Sequence, residues 1–250
     1  MWWLELFLTT SVAICGTMTL ISQRKVALKT NPIFKFARSY LPVFLTVLIV
    51  RAFIFQPFHV VSGSLEPTVL IGDFLAVNQS AYGVRLPLIH TKIWSTGSPK
   101  RGDIALFYYP VDPSLVFVKR VIGVPGDHVI YRNKKLTING QEMPQTKDGI
   151  GFDEEPNMLS RLMSQRIENL AGIQHKIFVD EARFDKEVDV IVPEGKYFMM
   201  GDNRDDSEDS RYWGFVDDSL LIGKAYRIIA SWDNRSHWFR LSRTGEKFSL

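Results

Sequence analysis

Two hydroxyl residues separated by a glycine lie in a short segment that is poor at regular structure. The segment reads Ser62-Gly63-Ser64, and Pro67 follows three residues later and ends any helix. A tight bend of this composition can present a serine hydroxyl to a substrate. The same composition is also common in plain surface loops. By itself, therefore, Ser64 is either a candidate nucleophile or an ordinary turn serine.

A lysine with apolar neighbours, Lys119, could activate such a serine. Side chains alternate between faces in the strand predicted over residues 115–122, so Lys119 shares its face with Phe117 and Val121. Burial disfavours the charged form of lysine, and a neutral amine can take the proton of a serine hydroxyl. Alternatively, Lys119 extends past the edge of the sheet and keeps its charge in water. The spacing alone leaves both interpretations open.

The bulk composition excludes several other kinds of chemistry. Of the 250 residues, 46% are hydrophobic and 23% are charged, and the net charge of +3 is too small to indicate nucleic-acid binding. The single cysteine, Cys15, excludes an intrachain disulfide and a cysteine-rich zinc site. A calcium loop over residues 202–209 lacks the glycine that the EF-hand pattern needs at its sixth position, so a solvated acidic turn is the simpler interpretation. The histidines show no HExxH pairing and are predicted to be surface or packing residues: His59, His90, His128, His175 and His237.

Two apolar segments at the start of the chain predict a membrane anchor over residues 1–61. Residues 2–21 are apolar or small apart from Glu5, and as a helix they match a bilayer core of about 30 Å. A cleavable signal peptide would carry positive charge before the apolar run, whereas here the charges follow it, so a retained span is favoured. The second apolar run begins at Leu41. It continues past Arg51 through residues 52–55. Because Arg51 would be costly in mid-bilayer, the alternative is a span that begins earlier, with Lys35 and Arg38 reaching the inner interface and Arg51 at the outer one, and the sequence leaves the register open.

The loop between the two spans, at about residues 22–40, contains five basic residues and no acidic residue. The positive-inside rule makes this loop cytoplasmic, so the chain beyond residue 62 is predicted to lie on the outer side. The Ser-Gly-Ser bend would then lie close to the membrane surface. Near the end of the chain, Trp232, Trp238 and Phe239 are either core residues or anchors at that surface.

Beyond the anchor, the sequence predicts a mainly antiparallel β fold with glycine and proline at its corners. Asn139-Gly140 is a strong signal for a two-residue hairpin. A catalytic β-domain is predicted over residues 62–140 and 191–250. Strands are predicted at 70–77, 104–109, 115–122, 129–131, 136–138, 197–200 and 224–231.

Residues 141–190 are more polar and are predicted to form a small inserted subdomain of α/β type. A short amphipathic helix is predicted within it, because five apolar residues follow helical spacing. These residues are Leu159, Leu162, Met163, Ile167 and Leu170. Packing against the sheet is the predicted role of the helix, and no motif indicates a role for the insert as a whole.

Four segments, in this order, resemble the bacterial type I signal peptidase (leader peptidase) family of Ser/Lys-dyad serine proteases. They are SGSLEPTVLIGDFLAV from residue 62, RGDIALFYYP from 101, VKRVIGVPGD from 118 and GDNRDDSEDSRYWGFV from 201. The resemblance covers about residues 41–131 and 194–230. It departs from the usual pattern at Leu65, where the family usually has methionine, and it does not extend to the insert.

On the matching positions, the resemblance implies that Ser64 is the nucleophile and Lys119 the general base. It implies an oxyanion hole made by the Ser64 N–H and the Ser62 hydroxyl, and a hydrogen bond from Ser207 that orients Lys119. The resemblance further implies that an ion pair behind the site, and one more carboxylate, support the site structurally. The supporting residues are Asp209 and Arg211 for the ion pair and Asp202 for the carboxylate.

The resemblance also implies a multi-pass protein of the bacterial cytoplasmic (inner) membrane with its catalytic domain on the periplasmic side. It would remove signal peptides from exported preproteins near the translocon, binding extended substrates with small residues before the scissile bond. No metal, cofactor or nucleic acid is implied. A self-cleaving repressor would carry a DNA-binding domain in place of the spans, and a penicillin-binding enzyme would have lysine where this chain has Pro67. A non-catalytic anchored β-domain that binds secretion partners is the alternative from another class.

Overall fold

The protein consists of an N-terminal helical hairpin followed by antiparallel sheets. The structure, a computed structural model, describes residues 2–25, 28–51, 56–86, 91–153 and 161–248. The helices are α1 Trp2–Arg24, α2 Pro32–Ile49 and α3 Ser210–Trp213. In chain order, the strands are β1 Gln56–His59, β2 Asp73–Asn78, β3 Val84–Arg85, β4 Lys92–Trp94, β5 Ile104–Tyr108, β6 Val116–Gly123, β7 His128–Arg132, β8 Lys135–Ile138, β9 Gln141–Glu142, β10 Gln145–Asp153, β11 Arg161–Leu170, β12 Ile173–Val179, β13 Val188–Ile191, β14 Lys196–Met200, β15 Val216–Asp217, β16 Leu221–Asp233 and β17 Trp238–Phe239.

The helices α1 and α2 pack side by side, and both are long and apolar enough to cross a membrane. α2 begins earlier than the apolar run that starts at Leu41, because Asn31 caps it and accepts a hydrogen bond from the Ile33 N–H at 3.0 Å. Pro32, in the first turn, is compatible with that start. Arg38 donates a hydrogen bond to Ser22 across the hairpin at 3.0 Å. The predicted continuation of the second span through residues 52–55 lies outside the described residues.

The main sheet has the strand order β1-β2-β16-β5-β6-β14-β15, with β17 paired to β16, and its pairings are antiparallel. The side chains of β6 alternate between its faces as predicted. Val118 packs with Leu65 and Val69 in the core on one face. Val121 packs with Phe107 in the core on the other face. Lys119 belongs to the second face by alternation.

A smaller sheet, with the order β13-β7-β8-β9, packs its apolar side chains with those of β6 and β14. The two-residue hairpin predicted at Asn139-Gly140 is confirmed, and it joins β8 to β9 with Ile138 opposite Gln141. Asn139 and Gly140 have φ values of 52° and 79°, the left-handed conformation that a type I′ turn requires.

The helix predicted within the insert is wrong. Residues 161–170 instead form β11, the central strand of the antiparallel sheet β10-β11-β12, called here the insert sheet. Backbone pairing on both sides overrides the helical spacing, since a short apolar run is compatible with either structure. Met163 and Leu170 are buried, whereas Leu162 is 65% exposed. Leu159 lies outside the described residues.

Candidate active site

The turn that carries Ser64 is anchored by its own apolar residues. Leu65 and Val69 are fully buried in the core, and the Glu66 N–H closes the turn on the Gly63 carbonyl at 2.9 Å. Ser64 is 7% exposed. Its Oγ lies 3.4 Å from the Oγ of Ser62, which is solvent-exposed. The segment therefore forms a fixed bend that brings two hydroxyl groups together.

Lys119 is buried in the middle of the main sheet. Strand β6 lies between β5 and β14, and Lys119 is opposite Ala105 on β5. The residue is 4% exposed, and its Nζ lies 5.5 Å from the centre of the Phe117 ring. The interpretation of Lys119 as a lysine that extends past the sheet edge is therefore wrong.

Burial lowers the pKa of Lys119 to about 8 because the ammonium form loses its hydration. The charge of Asp209 opposes this shift, and that of Arg211 adds to it. The neutral amine is therefore far more populated at neutral pH than in a lysine with the ordinary pKa of 10.5. This environment makes Lys119 a usable base near neutral pH.

The loop at residues 201–211 contributes a buried ion pair. Arg211 donates from Nε and Nη2 to the two carboxylate oxygens of Asp209, each at 2.8 Å. The Gly201 N–H also donates to Asp209 Oδ2 at 3.0 Å. Burial alone would raise the pKa of Asp209, but the neighbouring Arg211 holds it below its ordinary value. The carboxylate therefore stays ionised close to Lys119.

Asp202 is paired with the residue that follows Lys119. Arg120 donates to the two oxygens of Asp202 at 2.7 and 2.6 Å, and the Thr68 hydroxyl donates to the same carboxylate at 2.6 Å. The solvated acidic turn predicted over residues 202–209 is therefore wrong, because its aspartates are paired with cations. The other pairs are Asp205 with Lys134, Asp206 with Arg161 and Asp209 with Arg211.

Gly201 is the point at which the turn that carries Ser64 meets the 201–211 loop. A Cβ atom added at Gly201 would lie 2.3 Å from the Ser64 carbonyl oxygen and 2.3 Å from Ser207 Oγ. Only glycine fits between them without displacing one. The structure thus brings Ser62, Ser64 and Ser207 into one small region. Asp209 accepts a hydrogen bond from Gly201 in this region, and its charge raises the pKa of Lys119.

Ser207 does not make the hydrogen bond to Lys119 that the family resemblance implies. Its Oγ is buried and has no hydrogen-bond partner among the residues that the structure describes. Within the described residues, the polar contact of Ser64 Oγ is with Ser62 Oγ. Both hydroxyls therefore lie in the site without being bonded to the lysine.

Sequence reasoning missed three residues that hold the site together. Asn203 donates from its backbone N–H to the Ser64 carbonyl at 3.2 Å and from Nδ2 to the Gly63 carbonyl at 3.3 Å. Thr68 and Arg120 share the Asp202 carboxylate. All three lie in the segments that resemble the family, and Arg120 and Asn203 directly follow Lys119 and Asp202. Their partners, however, are distant in sequence. No local pattern reveals such contacts.

The histidines and the aromatic residues near the end of the chain are the remaining candidates. His59 stacks on Phe74 and His128 pairs with Asp189 at 2.6 Å, as predicted for packing and surface residues. His175 is buried, and His90 lies outside the described residues. Trp238 is 71% exposed and Phe239 51% exposed, so neither is a core residue. Trp232 packs edge to face on Phe239 with ring centres 4.9 Å apart.

Comparison with known proteins identifies the family. The family model for signal peptidase, peptidase S26, matches residues 33–230. Signal peptidase I of Pseudomonas aeruginosa is 36% identical over an alignment of 265 positions, gaps included, that covers 91% of this chain and 92% of that protein. Signal peptidase I of Aquifex aeolicus is 32% identical over an alignment of 219 positions, gaps included, that covers 76% of this chain and 81% of that protein.

A crystal structure of a signal peptidase I from Enterococcus faecalis is 30% identical in sequence and covers 51% of this chain and 96% of its own. Its TM-score is 0.32, so the assignment rests on the family match and the sequence relatives instead. The family identity supports cleavage of signal peptides. This chain belongs to the signal peptidase family, peptidase S26, and is a serine peptidase.

Proposed function

We propose that this chain is a membrane-anchored signal peptidase that uses Ser64 as its nucleophile and Lys119 as its general base. The observation that carries the proposal is the burial of Lys119, with its pKa lowered to about 8, in the region where the Ser64 turn meets the 201–211 loop. Burying a lysine costs stability, and groups whose pKa is strongly shifted by burial are concentrated at functional sites.

The proposed reaction has two stages. Neutral Lys119 accepts the proton of the Ser64 hydroxyl as Oγ attacks the scissile carbonyl, and the resulting ammonium gives that proton to the leaving amine. The signal peptide then remains as an ester on Ser64. Lys119, neutral again, takes a proton from water as the water oxygen attacks the ester. The resulting ammonium returns that proton to Ser64 Oγ as the ester C–O bond breaks, and the peptide leaves as a carboxylic acid that ionises in water.

The site residues around the dyad have supporting roles in this proposal. The Ser64 N–H and the Ser62 hydroxyl donate to the oxyanion, an effect usually worth a few kcal/mol. Ser207 turns its hydroxyl to Lys119 when substrate is bound, since catalytic hydrogen bonds often form only in the complex. Asp209 with Arg211, and Asp202 with Arg120, keep the surrounding loop rigid.

The anchor would place this site at the outer surface of the cytoplasmic membrane, close to the translocon from which preproteins emerge. The exposed apolar residues on α1 and α2, for example Trp3, Phe36 and Val43, suit contact with lipid. The exposed rings of Trp238 and Phe239 are of the kind that lies at a membrane interface. We also propose that residues 62–140 and 191–250 form the catalytic domain and 141–190 the insert.

The dyad is tested by preprotein cleavage in detergent with three substitutions. Ser64→Ala removes the nucleophile and Lys119→Ala the base, so each should lower kcat by about a thousandfold or more. Lys119→Arg should be equally inactive, since arginine stays protonated and cannot serve as a base. Asp112→Asn, an exposed loop substitution, is the matched control and should leave kcat unchanged.

Circular dichroism of each variant should match that of the wild type, so that a loss of activity reflects chemistry. A folded Lys119→Ala or Lys119→Arg protein that cleaves at the wild-type rate would refute the role of the lysine. A fully active Ser64→Ala protein would refute the nucleophile.

A further inference from the structure

The edge strand of the insert sheet is bonded to the segment that borders the nucleophile. Phe178, near the end of β12, forms a parallel bridge with Asn203. The Phe178 N–H donates to the Asp202 carbonyl and the Arg204 N–H donates to the Phe178 carbonyl, each at 2.9 Å. Residues 202–204 therefore continue the insert sheet by one short, extended segment.

The side chains on either side of Asn203 fix this segment in two directions. Asp202 is held by Arg120 of the main sheet and by the hydroxyl of Thr68, which follows the nucleophile turn. Arg204 is held by Glu168 on β11, with Nη1 donating at 2.8 Å and a second bond from Nη2. All of these charged groups are buried, so the segment cannot shift without leaving a charge unpaired.

Asn203 points from this fixed segment to the nucleophile turn. Its backbone N–H and its Nδ2 bind two successive carbonyls of the turn, those of Ser64 and Gly63. The residue is fully buried. Two bonds to adjacent peptide groups restrain both the translation and the rotation of the bend, and so they restrain the direction of Ser64 Oγ.

We propose that the insert sheet positions the nucleophile through Asn203. This residue is bonded to β12 on one side and to the Gly63 and Ser64 carbonyls on the other, so the position of β12 fixes that of the turn. This inference rests on the proposed role of Ser64. Asn203 is a positioning residue, because it contacts the turn and not the reacting atoms. The insert, which no motif in the sequence explains, is then part of the catalytic framework. Small misplacements of a nucleophile lower the reaction rate steeply, so a rigid support is useful.

The first test is the cleavage kinetics of Asn203→Ala and Asn203→Asp in the full-length protein in detergent micelles. Asn203→Ala removes the bond to Gly63, so kcat should fall about tenfold with KM unchanged. Asn203→Asp keeps the shape but directs an oxygen at the Gly63 carbonyl, so its kcat should fall further. If the alanine variant does not fold, the substitution on the insert side described next, Phe178→Ala, provides the measurement.

The second test places a substitution on the insert side. The ring of Phe178 packs on Gly151 of β10, where an added Cβ would lie 2.4 Å from the ring. Phe178→Ala should therefore loosen β12 and lower kcat several-fold. The exposed neighbour Phe152 is the matched control, and Phe152→Ala should leave kcat unchanged. If Phe178 acts through Asn203, the double variant should be no slower than Asn203→Ala alone.

The pH profile separates positioning from general damage to the site. In Asn203→Ala the acid limb should stay at its wild-type pH, because the surroundings of Lys119 are unaltered. Wild-type kcat in a folded Asn203→Ala protein, or rate losses at Asn203 and Phe178 that multiply, would overturn the inference. If Ser64→Ala is inactive in the same assay, that failure concerns the insert alone, whereas an active Ser64→Ala protein removes both proposals.

Discussion

In the proposed mechanism, a single amine determines what the site can do near neutral pH. Lys119 is buried beside Phe117, and its pKa is lowered to about 8 mainly by loss of hydration. Three carboxylates act against this shift, in decreasing order buried Asp209, exposed Glu208 and buried Asp202. Glu208 also accepts a hydrogen bond from the Tyr109 hydroxyl at 2.9 Å. The charge of Glu208 can therefore be removed while the hydrogen bond is kept.

Glu208→Gln should move the acid limb of kcat/KM to lower pH. Glu208 raises the pKa of Lys119, so its removal lowers that pKa, and the neutral lysine persists to more acidic conditions. The measurement is cleavage of a peptide substrate across pH 6 to 9, with exposed Glu194→Gln as the control that should not move the limb. A shift to higher pH would contradict the assigned sign.

At the level of elements, β12 is the strand around which the buried charges meet. His175 on this strand lies 3.5 Å from Glu168 and 3.8 Å from Asp202, with Arg120 and Arg204 completing the two ion pairs. Burial lowers the pKa of His175 to about 4, and Arg120 adds to the shift. The imidazole is therefore neutral in the folded protein at pH values where an unfolded chain would protonate it.

This difference predicts how the fold responds to mild acid. The contribution of His175 to stability is complete above its ordinary pKa of 6.5 and declines as the pH falls from 6.5 towards 4, since only the unfolded chain gains the proton there. The slope is at most about 1.4 kcal/mol per pH unit. His175→Gln should flatten the pH dependence of the thermal unfolding midpoint in this range.

The matched control is His128→Gln, because His128 is half-exposed and pairs with Asp189 at the surface. The control should leave the slope of the unfolding midpoint unchanged. An equal slope in wild type and His175→Gln would show that the imidazole is not the group responsible.

For the whole molecule, the arrangement of the anchor decides where the site works. The basic loop between α1 and α2 predicts a cytoplasmic loop and an outer catalytic domain. The single cysteine allows a direct test, because Cys15→Ser leaves a background without thiols. Ser114 in the catalytic domain and Lys29 in the loop are both exposed positions.

In intact spheroplasts, a membrane-impermeant maleimide should label Ser114→Cys at once and Lys29→Cys only after the membrane is permeabilised. The reason is that an exposed thiol reacts only when the reagent can reach it. Retained preprotein cleavage would show that each variant is correctly assembled. The reverse labelling pattern would mean that the proposed orientation is inverted.

The sequence by itself was enough to predict the family, from four ordered motifs, and also the two apolar helices and most strands of the main sheet. These features are local, since apolar alternation, turn residues and the Asn139-Gly140 hairpin act over a few neighbouring positions. The same alternation predicted the two faces of β6, and hence that Lys119 lies on the face of Phe117 and Val121. The order of the four segments was enough to indicate the chemistry.

Only the tertiary structure decided which residues share the site. It turned the predicted helix at 161–170 into a strand, because partners on both sides supplied backbone bonds that spacing cannot foresee. It paired Asp202 with Arg120 of the main sheet, and it placed Asn203 on the Gly63 and Ser64 carbonyls. These contacts join residues 82 and 140 positions apart in the sequence. Burial excludes the water that would otherwise satisfy those groups.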